Sequence, residues 1–344
     1  MRQVCFFILF LMLCVTVVAQ NGFSIKQDSS KKEVQIFYNN KMLTAYCYYD
    51  SSRKPVLFPV NTISGITVTR GFPFQPRTGD RTDHPHHTGI WMNYESVNGL
   101  DFWNNSTAIP LEKRHQYGTI LHQSIKEKKA DLDKAYLVVT ATWVSPDKKV
   151  LLNEETKYLF SISGSDYFID RITTLTSGQE PVIFKDVKDG FFAIRVAREL
   201  EMPSKESSEF IDDKGNITKV PASGTEVTGM YISSTGLKGD DVWGTQATWA
   251  MLSGKLQNKN ISIAIFDHPA NPGFPAYWHA RGYGLFSINP LGRKIFSNGK
   301  EELNLSLPPG ASTTFRYRVL IHEGPLPDTT FLNRIADDFA RQVQ

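Results

Sequence analysis

Three of the chain's eight histidines fall in one run, RTDHPHHTGIW, at residues 81–91. Imidazole changes charge near neutral pH and also ligates metals, so His84, His86 and His87 admit two chemistries. Read as a strand, the run puts His84, His86 and Thr88 on one face and Asp83, Pro85 and His87 on the other. A His-x-His face suits zinc, copper, iron or nickel, and it suits equally a pair of imidazoles around a substrate hydroxyl. Pro85 has no N–H to give to a ladder, so the run is expected at an edge, a bulge or a loop mouth. The sequel, GIWMNYESVNGLDFW (89–103), adds Trp91, Tyr94, Phe102 and Trp103 beside Asn93, Glu95, Asn98 and Asp101. Flat aromatic faces with amide and carboxylate partners are what a pocket for a polar ring needs. Trp91 and Asn93 are the binding candidates here, and Phe102 reads as core.

A second run, FDHPANPGFPAYWHARGYGLFSINPLG (266–292), repeats the Asp-His-Pro triplet far downstream. It supplies Asp267, His268, Asn271, His279, Arg281, Tyr283 and Asn289. Pro269, Pro272, Pro275 and Gly273 make its start a shaped loop, where functional residues tend to sit. Arg281 fits either a two-pronged contact to a carboxylate of a ligand or an ion pair with Asp267. Between the two runs, IFKDVKDGFFAIRVAREL (183–200) places Lys185, Asp186, Arg195 and Glu199 among apolar residues. Buried charges must be paired, so these form a structural network or part of the site; Lys185 and Arg195 are the candidates for substrate contact. The two histidine runs are expected to be opposite walls of one pocket. The catalytic candidates are then His84, His86, His87, His268, His279 and Asp267. A divalent metal, if used, would sit on His84, His86 and His279.

The elements that must position these residues read as strands. EVQIFYNNKMLTAYCYY (33–49) is two extended runs around Asn39-Asn40, a tight-turn pair. AYLVVTATWV (135–144), VLLNEETKYLFSI (150–162), DYFIDRITTLT (166–176), WAMLSG (249–254), ISIAIFDHP (261–269) and TTFRYRVLIHEG (313–324) follow. Only the tail, DTTFLNRIADDFARQV, has helical period, with Phe331, Ile335 and Phe339 four apart and Asp328 or Thr329 as cap. Long strands with one helix predict an all-β fold, a large antiparallel β-sandwich closed by a C-terminal α-helix. Residues 20–344 carry no linker or repeat and read as one domain, with the polar stretch 205–226 as a surface excursion.

The chain opens MRQVCFFILFLMLCVTVVAQNG: Arg2, an apolar run from Val4 to Val18, then Ala19. This is the layout of a cleaved secretory signal over residues 1–19, shorter than the ~18 apolar residues of a spanning helix. Leu13 before Cys14 is too large for lipidation, so plain export, to a periplasm, is expected over a lipoprotein, with a soluble mature chain. Removing the leader takes Cys5 and Cys14 with it, and Cys47 in its apolar strand reads as packing, so the mature domain must stand on its core. The 38 basic and 35 acidic residues form no basic stripe, which argues against nucleic acid. No Gly-x-Ser-x-Gly, Walker, dinucleotide-type glycine or His-Glu-x-x-His motif occurs.

Together, DHPHHTGIWMNYESVNGLDFW, KDGFFAIRVA, VWGTQATW and FDHPANPGFPAYWHARGYGLFSINPLG resemble the bacterial family often labelled "methane oxygenase PmoA-like" over roughly residues 30–325. The label implies a copper monooxygenase subunit of many spanning helices, which a β-rich body with one apolar stretch does not match. In general look the family is similar to the galactose-mutarotase-like supersandwich. That likeness implies a carbohydrate or other small polar ligand, with histidine as acid and a carboxylate as base. Asp267, Asp83 and Glu199 compete for the carboxylate. Three functions stay open: a carbohydrate-active isomerase, lyase or hydrolase using His/carboxylate chemistry, a metal-dependent enzyme, and a non-catalytic sugar-binding protein.

Overall fold

The computed structural model describes residues 21–221 and 227–342; the leader expected over residues 1–19 lies outside them. Two eight-stranded antiparallel sheets pack face to face. The first runs, in spatial order, Phe23–Asp28, Glu33–Tyr38, Lys41–Cys47, Val56–Val60, Ile90–Tyr94, Gly190–Arg195, Leu285–Asn289 and Tyr277–Arg281. The second runs Met230–Ser233, Trp249–Leu256, Lys259–Asp267, Ser312–Glu323, Asp166–Ser177, Val150–Ser163, Lys134–Val144 and Thr119–Ala130. The expected sandwich is therefore present. Asn39 and Asn40 both take positive φ, 48° and 62°, as the tight hairpin between Glu33–Tyr38 and Lys41–Cys47 demands.

Strand alternation assigns each residue a face. Ile90, Met92 and Tyr94, Phe192 and Ile194, and Phe286 and Ile288 point inward, meeting Trp143, Tyr158, Phe160, Ile263, Tyr317 and Val319 of the second sheet in one core. Trp91, Asn93, Ala193, Arg195, Leu285, Ser287, His279 and Arg281 alternate to the outer face of the first sheet. The outer face of the second sheet is covered by the helix Thr329–Ala340, which lays Leu332, Ile335 and Phe339 on Trp249, Met251, Phe266 and Leu320. Asp328 caps that helix by accepting from the Phe331 N–H at 2.7 Å.

Two expectations change. The polar stretch 205–226 contains a hairpin, Ser207–Ile211 with Ile217–Pro221, and its first strand bonds back to residues 79–82. Among the described residues a second, one-turn α-helix covers Arg293–Phe296, too short to show a period in sequence. No helix of the described residues is long and apolar enough to cross a membrane.

Candidate functional site

The run 83–87 is a turn, not a strand. The His87 N–H donates to the His84 carbonyl at 2.9 Å around Pro85, and His84 takes φ 43°. Proline's fixed φ favours the second position of such a turn, so period-two faces never apply and the three imidazoles gather instead of dividing. The His86 and His87 rings lie 4.3 Å apart, and the His84 and His87 rings stack in parallel at 4.8 Å. Gly89 then joins the turn to the strand Ile90–Tyr94 at φ 57°, where a Cβ would stand 2.1 Å from the Leu57 carbonyl oxygen.

Buried cations pin this turn. Arg70 donates to the carbonyls of Arg81, Asp83, His84 and His87 at 2.7–3.1 Å, and to Asp83 Oδ1 at 2.8 Å. Lys54, buried, donates to the His86 carbonyl at 2.7 Å and lies 5.3 Å from the Trp91 ring centre. Burial pushes the Lys54 ammonium down to about 7, with Asp101 pulling the other way. Arg195 donates to Asp83 Oδ1 at 2.7 Å and to His87 Nδ1 at 3.2 Å. Because guanidinium can only donate, His87 Nδ1 is the acceptor and its proton sits on Nε2. Burial favours ionisation of Asp83 less than water would, yet His84, Arg195 and Arg70 hold its carboxyl far below the usual range.

Four rings form a column from surface to sheet: Tyr283 on His84 at 5.2 Å, His84 on His87 at 4.8 Å, His87 on Trp91 at 5.3 Å. His84 Nδ1 lies 3.1 Å from Asp83 Oδ2, which orients the ring and leaves Nε2 free of that contact. His86 and His87 are held neutral, chiefly by burial and then by neighbouring positive charge.

Asp189 stands immediately before the strand Gly190–Arg195. His279 Nδ1 is 3.6 Å from Asp189 Oδ1, is buried, and has no hydrogen-bond partner among the described residues. Burial raises the Asp189 carboxyl, against the pull of Lys188, His84 and Arg281. Burial, and then Lys188, Arg281 and His84, press His279 down to about 3, so it is neutral. A proton on His84 would act on both groups. Glu95 and Asp101 are likewise raised, first by burial and then partly by Asp189. Arg281 is exposed, with its guanidinium 5.6 Å from the Trp243 ring centre and 5.9 Å from that of Tyr283.

The structure therefore brings together His84, His86, His87, Trp91, Arg195, His279, Arg281 and Tyr283, and separates the other candidates from them. Asp267 ends a strand of the second sheet, where its oxygens accept from Asn271 Nδ2 at 2.8 Å and the Ala276 N–H at 2.9 Å. It fastens its own loop, and Asn271 ties the same loop to Arg316. His268 packs edge-on against Phe339 of the C-terminal helix. The Asp-His-Pro start of the second run is thus not the opposite wall; only its continuation from His279 to Tyr283 reaches the site. Arg281 makes no ion pair with Asp267. Asn289 is spent on the backbone of Val187, Lys188, Leu291 and Gly292, Asn93 donates to the Phe102 carbonyl, and Lys185 points to solvent. Asp186 accepts from the Lys294 and Leu303 N–H groups.

Among the described residues no three His, Cys, Asp or Glu side chains are placed to hold one metal ion, so His84, His86 and His279 do not form a ligand set. Arg70 and Arg195, which adjoin the same rings, would repel a further cation. Sequence reasoning missed Asp189, Arg70, Lys54 and Trp243. Asp189 carries a signal, a charge placed directly before a buried strand; Arg70 in TVTRGF and Lys54, which follows Arg53 in SSRKPV, have no histidine beside them to mark them.

The fold and site define a two-sheet β-sandwich with a cluster of histidines, arginines and carboxylates over the outer face of one sheet. The chain belongs to a family of unknown function, DUF6807, which matches residues 33–337; that description does not carry the PmoA-like label. No curated protein matches it in sequence. Solved structures similar to it include the galactosidase domain of the α-galactosidase–sucrose kinase AgaSK, at 11% identity and TM-score 0.38 over 88% of this chain and 42% of that one. Another is galactose 1-epimerase from Lactobacillus acidophilus NCFM, at 10% identity and TM-score 0.35 over 89% of this chain and 99% of that one. At such identity nothing about this chain's chemistry follows from either.

Proposed function

We propose that the chain is an exported carbohydrate-active enzyme in which His84 and Asp189 move protons at a sugar. One observation carries this: an exposed imidazole oriented by Asp83 and fixed in a ring column lies within electrostatic reach of a half-buried carboxyl that burial holds toward its acid form. His84 Nε2 takes a proton from a sugar hydroxyl, and Asp189 delivers one to the oxygen that gains electrons. Neutral His279 beside Asp189 offers an uncharged hydrogen-bonding edge, and Tyr283 supplies aromatic surface for the ring. Isomerisation, elimination and hydrolysis of a glycoside all need such a pair, so the bond transformed is a matter for experiment.

The experiment is a survey of free and linked saccharides incubated with the protein and followed by proton NMR for anomer exchange, cleavage and deuterium uptake. Wild type should convert at least one, and His84→Gln and Asp189→Asn should each lower kcat by ~10²–10⁴-fold with unchanged melting curves. Retained turnover in either variant removes that residue's role. Binding without conversion leaves a sugar-binding protein in place of an enzyme.

A further inference from the structure

Two cavities open beside the centre formed by His84, Asp189 and His279. One, of about 660 Å³, is lined by Glu95, Lys188, Asp189 and Asn298; the other, of about 350 Å³, is lined by Arg281, Tyr283, Trp243, Ser204, Asp240 and Glu206. The two are neighbours: Arg281 and His279 stand two residues apart on one face of the strand Tyr277–Arg281, and His279 Nδ1 lies 3.6 Å from Asp189 Oδ1. A substrate confined to one sugar ring at the centre would leave the smaller cavity unused.

The smaller cavity's walls identify what fits it. Trp243 is 36% exposed, a large apolar face left at a rim. The Arg281 guanidinium, bracketed by Trp243 and Tyr283, makes no hydrogen bond or ion pair with any described residue. Two carboxylates, Asp240 and Glu206, face the same space. An anion is repelled by the carboxylates and a cation by Arg281, while an apolar guest would strip water from all three without replacing it. A neutral sugar ring answers each: its hydroxyls accept from Arg281 and donate to Asp240 and Glu206, and its C–H face lies on the indole.

We infer that the smaller cavity is a second subsite for a neutral sugar unit linked to the one at the centre, and that Trp243 selects saccharides of more than one unit. This rests on the reading that the centre takes a sugar. It is tested by titration calorimetry of the full chain against matched monosaccharide, disaccharide and trisaccharide sets built on glucose, galactose and xylose. In at least one set the affinity should rise about tenfold with the second unit, the scale of one well-placed aromatic contact. Trp243→Ala should abolish that rise and Trp243→Phe should restore most of it, with melting curves confirming that both variants fold. The inference is overturned if single units bind as tightly as their longer homologues, if the rise survives Trp243→Ala, or if no set binds. Length-dependent binding without any conversion sinks the acid–base reading and keeps the subsite; conversion without length dependence does the reverse.

Discussion

At the scale of single residues, Asp83 decides the most. One carboxylate faces Arg70, Arg195 and His84, so Asp83→Asn leaves the buried Arg70 without a paired anion and Arg195 with only Glu201, 4.0 Å away. A loss of about 3–5 kcal/mol is expected in urea unfolding, the usual consequence of removing one partner of a buried pair. The sign of its pH dependence follows from the lowered native value: this stability is present above the unfolded pKa, ~3.9, and is lost as pH falls toward the native one. Asp189 behaves oppositely. Its raised carboxyl means that kcat/KM, if Asp189 is the acid, falls as pH rises through that value, and a profile flat on the alkaline side would remove the assignment. Which residues converge was only partly legible in the sequence. Histidine spacing marked the run 81–91, but its geometry turned on Pro85 making a turn, and its support on Arg70 and Lys54, which reach it from elsewhere in the chain.

At the scale of elements, the strands were legible wherever apolar and polar residues alternate over many positions, as in 135–144 and 166–176, and so was the capped tail helix. Short pieces such as Arg293–Phe296 and the hairpin at 207–221 were not, because too few residues repeat to show a period. The tail helix is held by one apolar face, by its cap and by a hydrogen bond from Trp249 Nε1 to Asn333 Oδ1 at 2.8 Å. Phe339→Ala should cost about 3–5 kcal/mol and Asp328→Ala about 1 kcal/mol in thermal or urea unfolding. Its approach is also tethered by His322, whose Nδ1 lies 2.7 Å from Asp166 Oδ1 and whose Nε2 lies 2.9 Å from the Pro325 carbonyl. Both partners accept, so the ring satisfies both only as imidazolium, and Asp166 raises its pKa. The tether's contribution is full below the unfolded histidine value, ~6.5, and is lost as pH rises through the native one. Hydrogen exchange across the tail helix should quicken over that interval in wild type and show no such step in His322→Gln.

At the scale of the whole molecule, the two sheets separate tasks that look alike in the sequence. Both histidine runs contain Asp-His-Pro, yet one lies over the outer face of the first sheet and the other fastens a loop at the end of a strand in the second. Sequence repetition carries no information about which sheet a segment joins; only the pairing order does. Asp267→Ala should therefore lower stability by about 2–3 kcal/mol, through donors left unpaired, while saccharide affinity stays as in wild type. A lost affinity would return Asp267 to the site. The column of Tyr283, His84, His87 and Trp91 has an optical consequence as well. Its far end is a tryptophan locked in an asymmetric, water-free setting, and its near end is the surface that a ligand touches. Near-ultraviolet circular dichroism should thus register occupancy of the site without any label, as a change in the tryptophan fine structure that Trp91→Phe erases.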